Sequence, residues 1–283
     1  MIYILLSILL FSFNNILWKN NLKEINISFL IAYRAIFTFL ISFTLCVYNE
    51  GFQAYYDVNL LKISIGSICG AIGLFSMLTI IKKAPLQWLG IYNLIGIIFT
   101  TFYLWIFEDI QITKSIHGIL TIIIGFCYYI FVNRSNEKAI KIKQHLTLLL
   151  MTFSFSISAL IQWKNLNSNI PPLLIISNQE FVVLISALVG TFWKFKINDI
   201  VNNLKSYFSK VILMAFIIFL ALWSSFLGLK VTNPIISSVL FLSNPIVTIL
   251  LAAIILKEKL TLKSIISIVI IAIGAFILHY YSV

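Results

Sequence analysis

The chain consists of long runs of apolar residues separated by short polar segments. A helix needs about 20 apolar residues to cross the roughly 30 Å hydrocarbon core of a membrane. Segments such as SIISIVIIAIGAFIL do not alternate between apolar and polar positions as membrane β-strands do. The pattern therefore predicts an all-α integral membrane protein with ten transmembrane helices. We place the spans near residues 1–18, 28–48, 63–81, 85–107, 115–132, 146–163, 173–193, 211–229, 234–256 and 262–281.

Composition supports a membrane protein. Hydrophobic residues make up 61% of the 283 residues and charged residues only 10%, whereas a soluble domain is about 45–50% apolar. The net charge of +11 would suggest a nucleic-acid partner in a soluble chain. Here the basic residues lie in short loops, where they meet the anionic face of a membrane. We expect membrane lipids as partners and no nucleic acid.

The distribution of Lys and Arg predicts the orientation. The loops after the odd-numbered spans carry most of these residues, and the loops after the even-numbered spans carry only Lys62, Lys114, Lys164 and Lys230. The positive-inside rule then puts the odd-numbered loops in the cytoplasm and both termini outside. The Ile-, Lys- and Asn-rich composition is typical of an AT-rich bacterial genome, so we expect a multi-pass protein of the bacterial cytoplasmic (inner) membrane.

The sequence contains signs of an internal repeat. FSFNNILWKN at 11–20 matches FSFSISALIQWKN at 153–165 in its opening FSF and closing WKN. Further equivalent positions follow at offsets near 150: Pro85 and Pro234, Glu108 and Glu258, Gly125 and Gly274. We therefore predict two five-helix repeats, residues 1–135 and 145–283. Because five is odd, the second repeat must be inverted, as in many secondary transporters. Two fused halves also make a functional monomer plausible.

The segment SNPIVTILLAAIILKEKLTLKSIISIVIIAIGAFIL, residues 243–278, has proline in the ninth span, glutamate after it and glycine in the tenth. With Arg34 in the second span, the chain resembles the ten-helix EamA-type members of the drug/metabolite transporter superfamily. The resemblance implies transport of small metabolites, commonly export of amino acids or related compounds. Multidrug relatives carry an acid in the first helix. This chain has Asn14 and Asn15 there, which argues against proton-driven export of cationic drugs.

Two ionisable residues lie inside predicted spans, where each costs about 2.5–3.5 kcal/mol on insertion scales. Arg34 and Glu180 occupy equivalent positions of the two repeats, each roughly 9–10 Å from its own membrane face. About 10 Å would then separate their levels. This predicts a cavity with a cationic and an anionic end, suited to a zwitterionic solute such as an amino acid. The alternatives are snorkelling or carbonyl capping by Arg34 and helix-to-helix hydrogen bonding by Glu180.

A proline interrupts the ninth predicted span. Pro245 has no N–H and leaves the carbonyl of Phe241 without its usual partner, so we predict either a hinge at a discontinuous helix or an ordinary kink satisfied by neighbours. Polar and aromatic residues near midplane are the candidate solute-binding residues. They are Asn14, Asn15, Tyr33, Arg34, Tyr92, Asn93, Asn178, Gln179, Glu180, Trp223, Ser224, Ser243 and Asn244.

Signatures of enzymes and ATP-driven pumps are missing from the sequence. It contains no H-E-x-x-H motif, Walker A loop or Gly-rich dinucleotide turn, so we predict no enzyme activity, no metal and no cofactor. Polar residues scattered over several spans favour a transporter of a small-molecule solute, an exporter or exchanger working by alternating access. The alternatives are a transporter of phosphorylated or lipid-linked anions, which Arg34 would also suit, and a non-transporting membrane enzyme or assembly factor.

Overall fold

The computed structural model describes residues 1–21, 26–56, 58–82, 87–109, 116–133, 141–192, 197–256 and 262–282. Over these residues the chain forms helices and no strands, which confirms the all-α prediction. A short 3-10 turn, Phe52–Tyr55, lies between the second and third helices. The helices are α1 (Ile2–Asn21), α2 (Ile27–Glu50), α3 (Leu60–Ile81), α4 (Gln87–Phe107), α5 (Ile116–Asn133), α6 (Ile142–Asn167), α7 (Pro172–Phe192), α8 (Ile197–Val231), α9 (Pro234–Phe241), α10 (Asn244–Leu256) and α11 (Leu262–Ser282).

Length and composition identify five described helices as able to cross a membrane: α2, α3, α6, α7 and the Tyr207–Val231 part of α8. Shorter apolar stretches occupy Ile2–Trp18, Tyr92–Phe107, Ile116–Val132, Pro234–Thr248 and Ile265–Ile277. Large apolar side chains such as Ile98, Val189 and Phe276 point outward and are more than half exposed. Such a surface is suited to lipid, and the chain is a multi-pass membrane protein.

Two helices differ from the simple span pattern. α8 begins at Ile197, well before the expected start near 211, because Ile200, Leu204 and Tyr207 continue its apolar spacing although polar residues interrupt the run. The ninth span is broken as the proline predicted. α9 ends at Phe241 and α10 begins at Asn244, with Pro245 in the first turn of α10, where its missing N–H costs no helical bond.

Each helix packs mainly on helices that are distant in sequence. The most extensive pairings are α1 with α8, α2 with α7, α3 with α6, and α5 with α11, and α4 packs on α6 and α9. Glycines permit these close approaches. In the segment GSICG at 66–70, small residues let α3 pack closely on α6: a Cβ at Gly66 would lie 2.8 Å from Gln162 Nε2 and one at Gly70 3.1 Å from Ser158 Oγ.

Some sequence predictions concern residues beyond the described ranges. Pro85, Glu258, loop lysines such as Lys83, Lys138 and Lys257, and residues 134–140 near the predicted boundary between the repeats lie outside them. The repeat boundaries therefore stay a prediction, as does the orientation.

Candidate functional site

A cavity of about 330 Å³ lies among the helices. Its walls come from α1, α2, α3, α4 and α6 to α10, and they are mainly apolar, with side chains such as Phe11, Leu74 and Phe155. The volume is at the low end of the roughly 300–1,000 Å³ typical of ligand pockets. A few polar groups in an otherwise apolar concavity are the usual composition of a small-molecule site.

Arg34 and Glu180 line this cavity and form a direct ion pair, donated by Nη1 of the arginine. Their side chains are each only 2% exposed. Nη1 also lies 3.4 Å from Thr38 Oγ1. Arg34 therefore does not snorkel to an interface in this structure, and the expected cavity with separate cationic and anionic ends is wrong.

Helix packing explains the correction. α2 and α7 run antiparallel, since Ser28 lies against Gly190 and the rings of Phe39 and Phe181 are 5.5 Å apart. At this register, Arg34 lies opposite a position on α7 that is roughly five residues from Glu180. Five residues correspond to about 7.5 Å along the helix axis. An extended arginine side chain covers that distance, so two residues at different depths still meet.

A hydrogen-bonded cluster surrounds the break between α9 and α10. Oδ1 of Asn244 accepts from Ser12 Oγ at 2.7 Å, from Thr248 Oγ1 at 3.4 Å and from Asn15 Nδ2 at 3.5 Å. Ser12 Oγ also lies 3.1 Å from the Asn244 carbonyl oxygen. The cluster ties α1 to the first turn of α10.

One face of α6 supplies a polar wall that the candidate set omitted. Thr152, Ser156, Ser158 and Gln162 all line the cavity. Ser158 Oγ donates to the Gly66 carbonyl at 2.8 Å, and Ser156 Oγ lies 3.4 Å from the Gly96 carbonyl. The signal was present in the sequence, because 152 with 156 and 158 with 162 are four residues apart and share a helix face.

The cavity includes seven of the candidate residues and excludes the others. Those that line it are Asn14, Asn15, Arg34, Asn93, Gln179, Glu180 and Asn244. Successive helical residues differ by about 100°, so a neighbour in sequence can face elsewhere. On α8, for example, Leu222, Ser225 and Phe226 face the cavity. Trp223 instead packs on Phe219, with the ring centroids 5.8 Å apart, and Ser224 does not line the cavity.

The remaining candidates have other contacts, so the structure does not bring them to the cavity. Tyr33 packs between Phe29 and Phe37 on α2. Asn178 Oδ1 accepts from Ser67 Oγ at 2.8 Å. Ser243, in the break between the two helices, donates from Oγ to the Leu240 carbonyl of α9 at 2.6 Å. The side chain of Pro245 lies outside the described residues.

α4 and α6 are joined at both of their ends. At one end the hydroxyl of the candidate Tyr92 bonds to His145 Nδ1 at 2.6 Å. At the other end Lys164 Nζ lies 2.6 Å from Glu108 Oε1 and donates to Tyr103 OH at 3.0 Å. These contacts are partly exposed and distant from the Arg34–Glu180 pair. Glu108 thus contacts a neighbouring helix and does not line the cavity.

The described residues contain no group of three or more His, Cys, Asp or Glu side chains that could hold a metal ion. The polar groups that do converge, one ion pair with several amides and hydroxyls, are donors and acceptors of hydrogen bonds. They are suited to binding a small polar solute.

Comparison with known proteins adds the family. Residues 142–280 match the EamA-like transporter family. The second half of the chain belongs to that family. EamA-like proteins are transporters of the drug/metabolite type, so the family match indicates a small-molecule transporter. No curated protein matches the sequence.

A solved crystal structure shares the fold of this EamA-like protein. The two superpose with a TM-score of 0.71 over 96% of this chain and 95% of the other. Their sequences are 13% identical, so the similarity shows the fold alone.

Proposed function

We propose that this EamA-like protein is a ten-span secondary transporter that moves a small zwitterionic metabolite, such as an amino acid, out of the cell or in exchange. It would work by alternating access between two inverted halves, residues 1–135 and 145–283, in the bacterial inner membrane. The observation that carries the proposal is the cavity lined by helices of both halves and containing the buried Arg34–Glu180 pair. Midplane sites between repeats are characteristic of such transporters.

The helix pairings support a two-fold relation between the halves. In the predicted repeat, α1 corresponds to α6 and α3 corresponds to α8. The pairing of α3 with α6 therefore corresponds to the pairing of α8 with α1, and both are extensive. The pairings of α2 with α7 and of α5 with α11 map onto themselves under the same correspondence. An arrangement of this kind would allow the helices to repack between two equivalent states.

Charge balance supports a zwitterionic solute. Among the described residues that line the cavity, Arg34 is the cation and Glu180 the anion, and they neutralise each other. A solute with a net charge would remain uncompensated in such a poorly hydrated site, which is costly. A phosphorylated or lipid-linked anion would add net negative charge, which no unpaired cation among these lining residues would balance. An amino acid brings both signs and adds no net charge.

The test compares metabolites in the medium and cytosol of cells that express the wild type, Glu180→Gln, Glu108→Gln or an empty vector. We expect the wild type and Glu108→Gln to shift the same amino acids between the compartments. Glu180→Gln should abolish the shift, because it removes the acid that lines the cavity and leaves Arg34 unpaired. Glu108→Gln is the matched control, since Glu108 pairs with the half-exposed Lys164 outside the cavity.

The amounts of each variant in the membrane must be equal for the comparison to count. If Glu180→Gln shifts metabolites as the wild type does, the transporter stands and the role of Glu180 is wrong. If only phosphorylated compounds move, the zwitterionic class is wrong. If no solute of either kind moves with the wild type, the non-transporting alternative replaces the proposal.

A further inference from the structure

Four buried polar atoms in the cavity wall have no hydrogen-bond partner among the described residues. They are Nε2 of Gln162, Nε of Arg34, Oγ1 of Thr152 and Oδ1 of Asn14. All four residues line the cavity, and each is at most 2% exposed. More than nine in ten buried polar groups in proteins are hydrogen-bonded. Four unpaired atoms in one concave wall therefore point to a solute that supplies the partners.

The contacts of Gln162 define which end of its amide is free. Asn165 Nδ2 donates to Gln162 Oε1 at 3.0 Å, so the oxygen is engaged and the NH₂ group is the donor left over. Gly66 makes room for this group, because a Cβ there would lie 2.8 Å from Nε2. Thr152 lies on the same helix and adds an unpaired hydroxyl to the wall.

Arg34 also keeps a free donor. Its Nη1 is engaged by Glu180 and Thr38, whereas its Nε has no partner. The arginine can therefore bind an anionic group of a solute without breaking its ion pair. Glu180, in contrast, already binds a cation and is a poor partner for an ammonium group.

Asn14 supplies the opposite kind of atom. Its neighbours on α1, Ser12 and Asn15, both donate to Asn244, but Oδ1 of Asn14 is outside that cluster and unpaired. A carbonyl oxygen of an amide can only accept. It is suited to an ammonium group and not to a carboxylate.

We propose that the solute is an α-amino acid with an apolar side chain, held by these four groups. Its carboxylate accepts from Gln162, Arg34 and Thr152, its ammonium group donates to Asn14, and its side chain packs on the apolar walls. The proposal rests on the proposed transport function and revises the orientation expected from the sequence, in which Glu180 would bind the ammonium group.

Binding of three probes to the purified full-length protein tests the assignment. The probes are L-leucine, leucinamide, which lacks the carboxylate, and 2-hydroxy-4-methylpentanoate, which has a hydroxyl in place of the amine. We expect calorimetry to show that leucine binds the wild type at least about tenfold more tightly than either analogue, because each analogue loses at least one hydrogen bond to a charged group.

The variants separate the two ends of the solute. Gln162→Met should reduce the preference over leucinamide by about tenfold and keep the preference over the hydroxy acid unchanged. Asn14→Leu should reduce the preference over the hydroxy acid and keep the preference over leucinamide unchanged. Thr152→Val should behave as Gln162→Met more weakly, and it removes no protein hydrogen bond. Gln144→Met on α6 and Asn21→Leu on α1 are matched controls outside the cavity and should keep both preferences.

The ratios of affinity do not depend on how much protein is folded. The proposal is overturned if Gln162→Met and Asn14→Leu retain both preferences, or if the wild type binds none of the three probes. Counterflow of labelled leucine in proteoliposomes distinguishes a failure of this assignment from a failure of the proposed transport function. If leucine moves but the variants keep the wild-type preferences, only this assignment fails. If neither leucine nor any solute of the wider metabolite panel moves, the proposed function fails as well.

Discussion

Arg34 and Glu180 are each costly in an apolar helix bundle, and their direct contact offsets much of that cost. Burying two charges as a pair can leave little net stabilisation, whereas removing one partner leaves an uncompensated charge. Replacing one member of the pair should therefore cost far more stability than replacing both.

Arg34→Met should lower the free energy of unfolding by about 3–5 kcal/mol, because it leaves the Glu180 carboxylate buried without a cation. Arg34→Met combined with Glu180→Leu should recover most of this loss. Denaturation of the purified protein in mixed micelles, followed by helical circular dichroism, measures both. A double variant as unstable as the single one would show that the pair matters through packing and not through its charge balance.

Single residues also show what the sequence could and could not predict. The rarity of charge within the spans was enough to identify Arg34 and Glu180. The sequence does not show which of two neighbours faces the cavity: Arg34 and Ser225 line it, whereas Tyr33 and Ser224 do not. Helices that are apolar on nearly every side carry little information about which face meets a cavity. Depth along a helix can be read from the sequence, but rotation about its axis cannot.

At the scale of elements, Pro245 predicted an interruption of the ninth span, because a missing N–H has a local effect. Of the two alternatives, the structure has the discontinuous helix, with α9 and α10 as separate elements. The Asn244 cluster that completes the break was not predictable, since it depends on Ser12, more than two hundred positions away along the chain. The early start of α8 was missed because a count of uninterrupted apolar residues overlooks an amphipathic extension.

α5 and α11 cross through a reciprocal pair of glycines. A Cβ at Gly125 would meet side-chain atoms of Ile270 and Ile271 at 2.8–2.9 Å, and a Cβ at Gly274 would meet the backbone nitrogen of Ile122 at 2.8 Å. Side chains can move aside, but a helix backbone cannot do so without displacing its neighbours. The two glycines occupy equivalent positions of the predicted repeats, but Gly274 should tolerate a larger side chain less well than Gly125.

Gly274→Ala should lower the free energy of unfolding by about 1–3 kcal/mol, the usual cost of overpacking. Gly125→Ala should cost less, since isoleucine rotamers can adjust. Thermal unfolding of the two purified variants in the same detergent makes the comparison, and each serves as the control for the other. Equal losses would mean that the helices shift apart as freely as the side chains rotate.

At the scale of the whole molecule, the positive-inside distribution predicts that both termini lie outside the cell. Epitope tags at residue 1 and residue 283 should both bind antibody on intact cells. A tag inserted within 134–140, in a loop predicted to be cytoplasmic, should bind only after permeabilisation. Exposure of that internal tag together with protection of both ends would reverse the orientation.

The count of apolar runs predicted the helices well, because each run is a local property of about 20 residues. The pairing of helices is not local. The sequence of α3 does not identify α6 as its packing partner, although the small residues of GSICG are typical of a close contact with some other helix. If the predicted repeat holds, it offers an indirect route to these pairings, since two inverted halves would constrain which helices can meet.

The distance along the chain between Arg34 and Glu180 has a consequence for synthesis. The two residues are 146 positions apart, so at about 5–20 residues per second the ribosome needs roughly 7–30 s between them. During that interval α2 has left the ribosome with its arginine unmatched. We expect a nascent chain stalled before α7 to present this cation to the insertion and degradation machinery, so that the arrival of Glu180 acts as a checkpoint for a completed protein.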